Sequence, residues 1–265
     1  MGHFALYYIH LRKKGGVRVP RFFVGSSQIA ENTVTLTGDD AHHISRSLRM
    51  AKGEEITVSD DAGNEYTCVL TAFEENAVAA TVLSCRKQAT EPPLSITLYQ
   101  ALPKGDKLDT VIQKSVECGA SRIVPFESER CIVRCKREAE AHKTARRQRI
   151  ALEAAKQCGR GRLPEVAETV SFAEMLGEAG RADRVLFCYE GEGTVPIGKL
   201  LSAPDFPKSG SLAVIVGSEG GFSPKEAEAA ETAGFAMTGL GRRILRTETA
   251  PLFALAAISC VLELS

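Results

Sequence analysis

The chain has no net charge, no CxxC pair of cysteines, no HExxH and no apolar run long enough for a bilayer. Each absence removes a class of function. With 33 Lys and Arg against 33 Asp and Glu, overall charge does not announce a polyanion as partner. The eight cysteines are scattered, several among apolar neighbours. They read as reduced core thiols of a cytoplasmic protein, not as a disulfide framework or a zinc site. Cys131, Cys135 and His142 come nearest to a ligand set, but two thiols flanking a strand end is the simpler account, and no metal is expected. The longest apolar run, Pro251–Leu262, is about half of the ~20 residues that a membrane span needs. The opening MGHFALYYIHLRKKGG sets its charges after a short apolar run, the reverse of a signal peptide. No GxGxxG precedes a ribose-binding acid. Gly193–Lys199 does match G-x-x-x-x-G-K, but Leu200 follows where a P-loop needs Ser or Thr for magnesium, and Val195 and Ile197 make the loop too apolar for a phosphate cradle.

What is present is concentrated between Leu212 and Leu264. Leu212–Val216 is a short apolar run, the size of a strand buried on both faces. It ends in Gly217-Ser218-Glu219-Gly220-Gly221, whose glycines permit a sharp turn or close approach to a ligand. A helix start follows, with Ser223 as N-cap, Pro224 at its first position and Glu226 completing a capping box. Gly234 suits the position after that helix. Ala236–Leu240 is a further strand candidate. After Gly241 comes Arg242-Arg243-Ile244-Leu245-Arg246-Thr247-Glu248-Thr249-Ala250, then a last helix opening near Pro251. Two loops thus leave the ends of two parallel strands, where ligands bind in open α/β sheets. A lone GSEGG is most simply a strand-to-helix turn. The second loop shifts the balance, because Ile244 and Leu245 lie between charged neighbours and suit a pocket wall, with Arg246 and Glu248 beside it.

This pair of loops, ending in ILRTETA, resembles the SPOUT class of S-adenosylmethionine-dependent RNA methyltransferases. Within that class it looks like the RsmE family, which methylates N3 of a uridine in 16S rRNA of the small ribosomal subunit. Similar motifs recur at Leu102–Asp106 (LPKGD), Glu117-Cys118-Gly119, Glu129-Arg130 and Glu153–Gln157, so the likeness covers nearly all of residues 21–264. Ser218 and Arg242 depart from it, standing where the family often has Pro. The resemblance implies an α/β fold in which a SPOUT-type (α/β knot) methyltransferase domain follows a small PUA-like β-barrel domain. The trefoil knot rests on resemblance alone.

The pattern of elements agrees with two domains, for which 265 residues suffice. Residues 1–20 read as an N-terminal extension: an upstream start, a cloning remnant or a basic tail. Residues 21–90 hold short strand candidates at Phe22–Val24, Thr33–Leu36, Glu55–Ser59, Glu65–Phe73 and Ala77–Cys85, the spacing of a small barrel. One helix, Ala41–Met50, interrupts them, with Ile44 and Leu48 on one face and Arg46 and Arg49 on the other. Beyond the linker at Lys87–Leu94, residues 91–265 alternate strands and helices, the mark of a mostly parallel sheet.

Site residues follow from the resemblance and the loops together. Val216, Gly217, Gly220, Leu240, Gly241, Ile244 and Leu245 are expected to wrap S-adenosylmethionine, with Glu190 on the rim. Glu219 either binds the cofactor's amino group or braces the turn. Arg246 is the candidate to stabilise an anionic uracil. Glu248 orients Arg246, accepts a proton or holds the loop. Between Arg130 and Arg149 lie eight Lys or Arg and two Glu, and Arg21, Arg46, Arg49, Lys104, Lys107, Arg130, Arg160 and Arg162 are candidates for RNA phosphates. A salt-bridged helix face is the competing account of residues 136–149. Pro251–Leu262 is apolar on every side, so a homodimer is expected to cover the face its own subunit leaves open, with Arg130 of one subunit near the pocket of the other. A ribose 2′-OH or another base as methyl acceptor, and an RNA-binding protein without activity, are the alternatives.

Overall fold

The structure, a computed structural model, describes residues 19–135 and 137–264, so nearly all of the expected extension lies outside the described residues. Two compact units are present. One ends at Thr90 and takes in the short segment Gly159–Arg162. The other holds Glu91–Cys158 and Leu163 onward.

In the first unit, β1 (Arg21–Val24), β2 (Ile29–Ala30), β3 (Thr33–Thr37), β4 (Glu55–Asp60), β5 (Asn64–Phe73) and β6 (Ala77–Lys87) form one sheet in the order β1-β4-β5-β6-β3-β2. Only β1 and β4 pair in parallel. Alternate residues point to one side, so Phe22, Val34, Leu36, Ile56, Val58, Leu70 and Val78 share a single core. The helix begins earlier than the sequence suggests, as α1 (Gly38–His42), and widens into a π turn over His43–Ser47. There the Leu48 N–H donates to the His43 carbonyl at 2.9 Å. That five-residue spacing rotates Leu48 off the face carrying Ile44. Ile44 is fully buried, whereas Leu48 is 41% exposed.

The second unit is a parallel sheet built from β7 (Leu94–Ala101), β8 (Arg122–Glu127), β9 (Glu165–Val166), β10 (Val170–Ser171), β11 (Arg184–Cys188), β12 (Val195–Pro196), β13 (Gly210–Val216) and β14 (Ala236–Gly239). The order is β10-β8-β7-β13-β11-β14-β12, with β9 also on β8. Its helices are α2 (Lys107–Glu117), α3 (Arg137–Cys158), α4 (Phe172–Ala179), α5 (Ile197–Leu201), α6 (Pro224–Thr232) and α7 (Ala250–Leu262). Both expected capping boxes form, Ser171 with Glu174 opening α4 and Ser223 with Glu226 opening α6. Residues 195–201 of the P-loop look-alike become an edge strand and one short helix. The sequence reading missed β2, β9, β10 and β12, each only two residues long and without a periodic pattern to read. Of the eight cysteines, Cys68, Cys131 and Cys188 are buried, while Cys85, Cys158 and Cys260 are exposed. The expectation of core thiols therefore fails for the last three, which sit near strand or helix ends.

The basic run is partly neutralised within the fold. Arg146 forms a two-pronged pair with Asp109 at 2.6 and 2.8 Å, and Arg147 meets buried Glu140 at 2.7 Å. Glu140 also accepts hydrogen bonds from the Thr169 backbone at 3.0 Å and from the Cys135 thiol at 3.0 Å. Burial pushes this carboxyl up, but the hydrogen bonds of Thr169 and Cys135 and the charge of Arg147 outweigh it and hold it at about 2. A carboxyl depressed by folding contributes stability that is complete above its unfolded value of 4.5 and is lost as pH falls through about 2. Glu140→Gln should therefore lose on the order of 2–3 kcal/mol at pH 7. Urea denaturation at pH 7 and pH 3 checks this: the gap to the wild type should narrow at the lower pH.

Candidate active site

β13, β11 and β14 are neighbours in the sheet, and their carboxyl ends open into one cavity of about 780 Å³. Ligands in open parallel sheets bind at such ends, and the volume is that of a cofactor-sized site. Three loops line it: Cys188–Gly191 after β11, Val216–Phe222 after β13, and Gly239–Thr247 after β14. Phe222 anchors the second loop, stacking on Phe126 at 6.3 Å and tilting against Phe187 at 4.2 Å. Gly241 opens the third loop at φ +107°, a backbone region that L side chains rarely enter. The cavity wall contains Glu190, Val216, Gly217, Glu219, Gly220, Leu240, Gly241, Ile244 and Leu245, together with Arg246. The Arg246 guanidinium is exposed and has no hydrogen-bond partner among the described residues.

Charge around the cavity is organised by Lys107. Its ammonium lies 2.8 Å from Glu219 Oε1 and 3.5 Å from Glu248 Oε2. Glu219 also accepts from the Lys104 backbone N–H at 3.2 Å. Burial pushes the Glu219 carboxyl up, but the Lys107 hydrogen bond and the loop N–H groups hold it below its usual value. The hydrogen bond to Glu219 raises Lys107 in turn. Glu248 is not part of the cavity wall. Its Oε2 lies near the ammonium of Lys107, which does line the cavity.

Arg130 is placed by a buried acid. Glu226 Oε1 accepts from the Glu129 N–H at 2.8 Å, and the Ser223 hydroxyl donates to Glu129 Oε2 at 2.7 Å. Arg130 then donates from Nη1 to the Gly220 carbonyl at 3.0 Å. A Cβ on Gly220 would lie 3.0 Å from Arg130 Cβ, so a larger residue there would make this arginine shift by a few tenths of an ångström. Arg130 thus lines the cavity of its own chain.

The other basic candidates divide in two. Arg21 is tied to buried Glu65 at 2.7 Å and to Ser59 at 2.7 Å, so its charge is spent inside the first unit. Lys107 is spent on Glu219 and Glu248, and Arg160 is only 4% exposed. For Arg21 and Lys107 the acidic partners are ones that spacing in the sequence does not reveal. Arg46, Arg49, Lys104, Arg130 and Arg162 are exposed. Sequence reading missed Tyr189, Thr194 and Thr247, which also line the cavity. It also missed Gln100, fully buried and bonded to Thr247 at 3.1 Å. A glutamine in line with Leu94, Ile96 and Leu98, the apolar residues on its face of the strand, was the available signal.

Comparison with known proteins agrees with this architecture. A family model described as an RNA methyltransferase domain matches residues 90–259, and one described as an RNA methyltransferase PUA domain matches residues 36–83. The ribosomal RNA small subunit methyltransferase E of Bacillus subtilis is 36% identical over 249 residues, covering 92% of this chain and 97% of its own. The crystal structure of the enzyme of that name from Neisseria gonorrhoeae, bound to S-adenosyl methionine, superposes with a TM-score of 0.77 at 35% identity, covering 92% of this chain and 98% of its own. A putative methyltransferase from Legionella pneumophila, in complex with the bound cofactor SAM, gives a TM-score of 0.79 at 31% identity with the same coverage. On these matches this chain belongs to the ribosomal RNA small subunit methyltransferase E family.

Proposed function

We propose that this protein methylates N3 of a uridine in 16S rRNA, using S-adenosylmethionine, in the cytoplasm. The observation that carries the reading is the cavity at the ends of three adjacent parallel strands, with the exposed Arg246 guanidinium in its wall. Two relatives over 30% identical were solved with that cofactor. The residues present fit it: a glycine-lined wall gives access to backbone donors and acceptors, and the buried Ser218 hydroxyl has no hydrogen-bond partner among the described residues. Val216, Gly217, Gly220, Leu240, Gly241, Ile244 and Leu245 would hold the adenosine, with Glu190 on the rim.

The cofactor supplies an activated methyl on a sulfonium, so a C–N bond forms at N3 as the S–C bond breaks. The protein's task is to orient the uracil, keep the loops fixed and favour loss of the N3 proton. Orientation alone supplies several kcal/mol, up to ~7–11 in the best cases. Arg246 stabilises the negative charge that develops on the uracil oxygens. Lys107 holds Glu219 and Glu248, so the loops after β13 and β14 keep their spacing. Arg46, Arg49, Lys104, Arg130 and Arg162 are exposed and are proposed to meet rRNA phosphates. The return of residues 240–249 to the ends of β7 and β13 is read as the passage that ties the trefoil knot.

A homodimer completes the reading. α7 buries Ala254, Leu255 and Ile258 but leaves Phe253 38% exposed, and Ile244 in the cavity wall is 85% exposed. Exposed apolar side chains at a site suit an association surface, and a second copy would cover them by a two-fold contact.

Three measurements test the proposal. Incubating the protein with small subunits from a strain lacking this activity, followed by nucleoside mass spectrometry, should yield 3-methyluridine; a ribose-methylated nucleoside instead would overturn the base assignment. Arg246→Ala should lower turnover ~10²–10³-fold while leaving cofactor affinity by calorimetry within about threefold, the split expected of a group that acts only on the transition state. Sedimentation equilibrium at micromolar concentration should give twice the 28.5 kDa of the chain; the monomer mass would refute the dimer.

A further inference from the structure

The loop that carries Arg246 has no regular secondary structure of its own, yet it must hold a guanidinium steady over the cavity. Three groups meet where it returns to the sheet. Gln100, the last inward side chain but one of β7, is fully buried. Its Nε2 lies 3.0 Å from the Ala101 carbonyl, 3.3 Å from the Gly217 carbonyl and 3.1 Å from Thr247 Oγ1. Both carbonyls only accept, so the nitrogen is the atom that must face them. Thr247, itself buried, donates from Oγ1 to the Gly217 carbonyl at 2.8 Å. The polarity is therefore consistent throughout: amide to hydroxyl, hydroxyl to carbonyl. Gln100 is no part of the cavity wall, while Gly217 and Thr247 are.

We infer that Gln100 is a positioning residue whose buried amide, acting through the Thr247 hydroxyl and the Gly217 carbonyl, clasps the Arg246 turn onto the first glycine loop. This rests on the reading of Arg246 given above. The turn is short and closed on itself, since the Thr249 and Ala250 N–H groups both return to the Arg246 carbonyl, at 2.8 and 3.0 Å. Fixing Thr247 therefore fixes Arg246 beside it. Buried hydrogen bonds have no water to replace them, so removing one partner strands the others. Gln100 Oε1 has no hydrogen-bond partner among the described residues, which leaves the donor side of this amide as the half that holds the loop.

The test compares near-isosteric and hydroxyl-keeping variants. Gln100→Met and Thr247→Val should each lower turnover roughly a hundredfold, the scale of a misplacement of about 1 Å, with cofactor affinity by calorimetry changed no more than about threefold. Thr247→Ser, which keeps the hydroxyl, should lose far less, no more than about tenfold. The double variant Gln100→Met/Thr247→Val should be little worse than either single, because both break one network. Hydrogen exchange read by mass spectrometry should speed up in the peptide spanning 244–250. That readout needs no substrate, so it fails separately from the rRNA assignment. Should Gln100→Met not fold, Gln100→Asn, polar but too short to reach Thr247, carries the same test. Unchanged turnover in Thr247→Val, equal losses of turnover and cofactor affinity, or multiplied losses in the double variant would each overturn the clasp.

Discussion

Parallel pairing of β7 with β13, from Leu94 opposite Gly210 to Gln100 opposite Val216, brings together two stretches far apart in the chain. The register matters as much as the pairing. It ends both strands at the same level, so the LPKGD loop after β7 and the glycine loop after β13 leave the sheet side by side. Lys104 and Lys107 then reach Glu219, and Gln100 reaches the Gly217 carbonyl. A shift of one residue would turn Gln100 to the other face of the sheet and undo both contacts.

The site is therefore held by polar groups at its floor and by apolar ones behind it. Phe126, Phe187 and Phe222 form a contiguous aromatic cluster under the glycine loop, and Glu226 at the start of α6 fixes the chain next to Arg130. The cavity wall itself is left to glycines, short loops and a few charges. Such a division suits a cofactor gripped by backbone atoms, since the backbone can approach closely only where side chains are absent.

Much of this was legible in the sequence, for reasons that particular residues make plain. β13 reads as an unbroken apolar run because it is a central strand, covered on both faces, and α6 declares itself through Ser223, Pro224 and Glu226. The residues named from the two glycine loops line one cavity because β13 and β14 flank β11 and run parallel to it, so both loops leave the same edge of the sheet. What could not be read was pairing between distant side chains. Nothing near Lys107 in sequence reveals Glu219, nor does anything near Arg21 reveal Glu65, so basic residues engaged inside the fold looked the same as exposed ones. The π turn at His43–Ser47 was equally hidden, since Ile44 and Leu48 have ordinary helical spacing and only the hydrogen bond to His43 separates their faces.

The sheet order has a consequence for how the molecule comes into being. β7, β8 and β11 precede β13 in the chain, yet β13 lies between β7 and β11. During synthesis the two strands that will flank it emerge first, each with an open edge and apolar faces: β7 has only β8 beside it, and β11 has no neighbour yet. Such edges are templates for pairing with the wrong chain. The sheet is thus closed by the late insertion of a middle strand, not by growth from one side, and a ribosome that stalls before Gly210 leaves β7, β8, β9 and β10 able to pair while β11 and β12 have no partner strand.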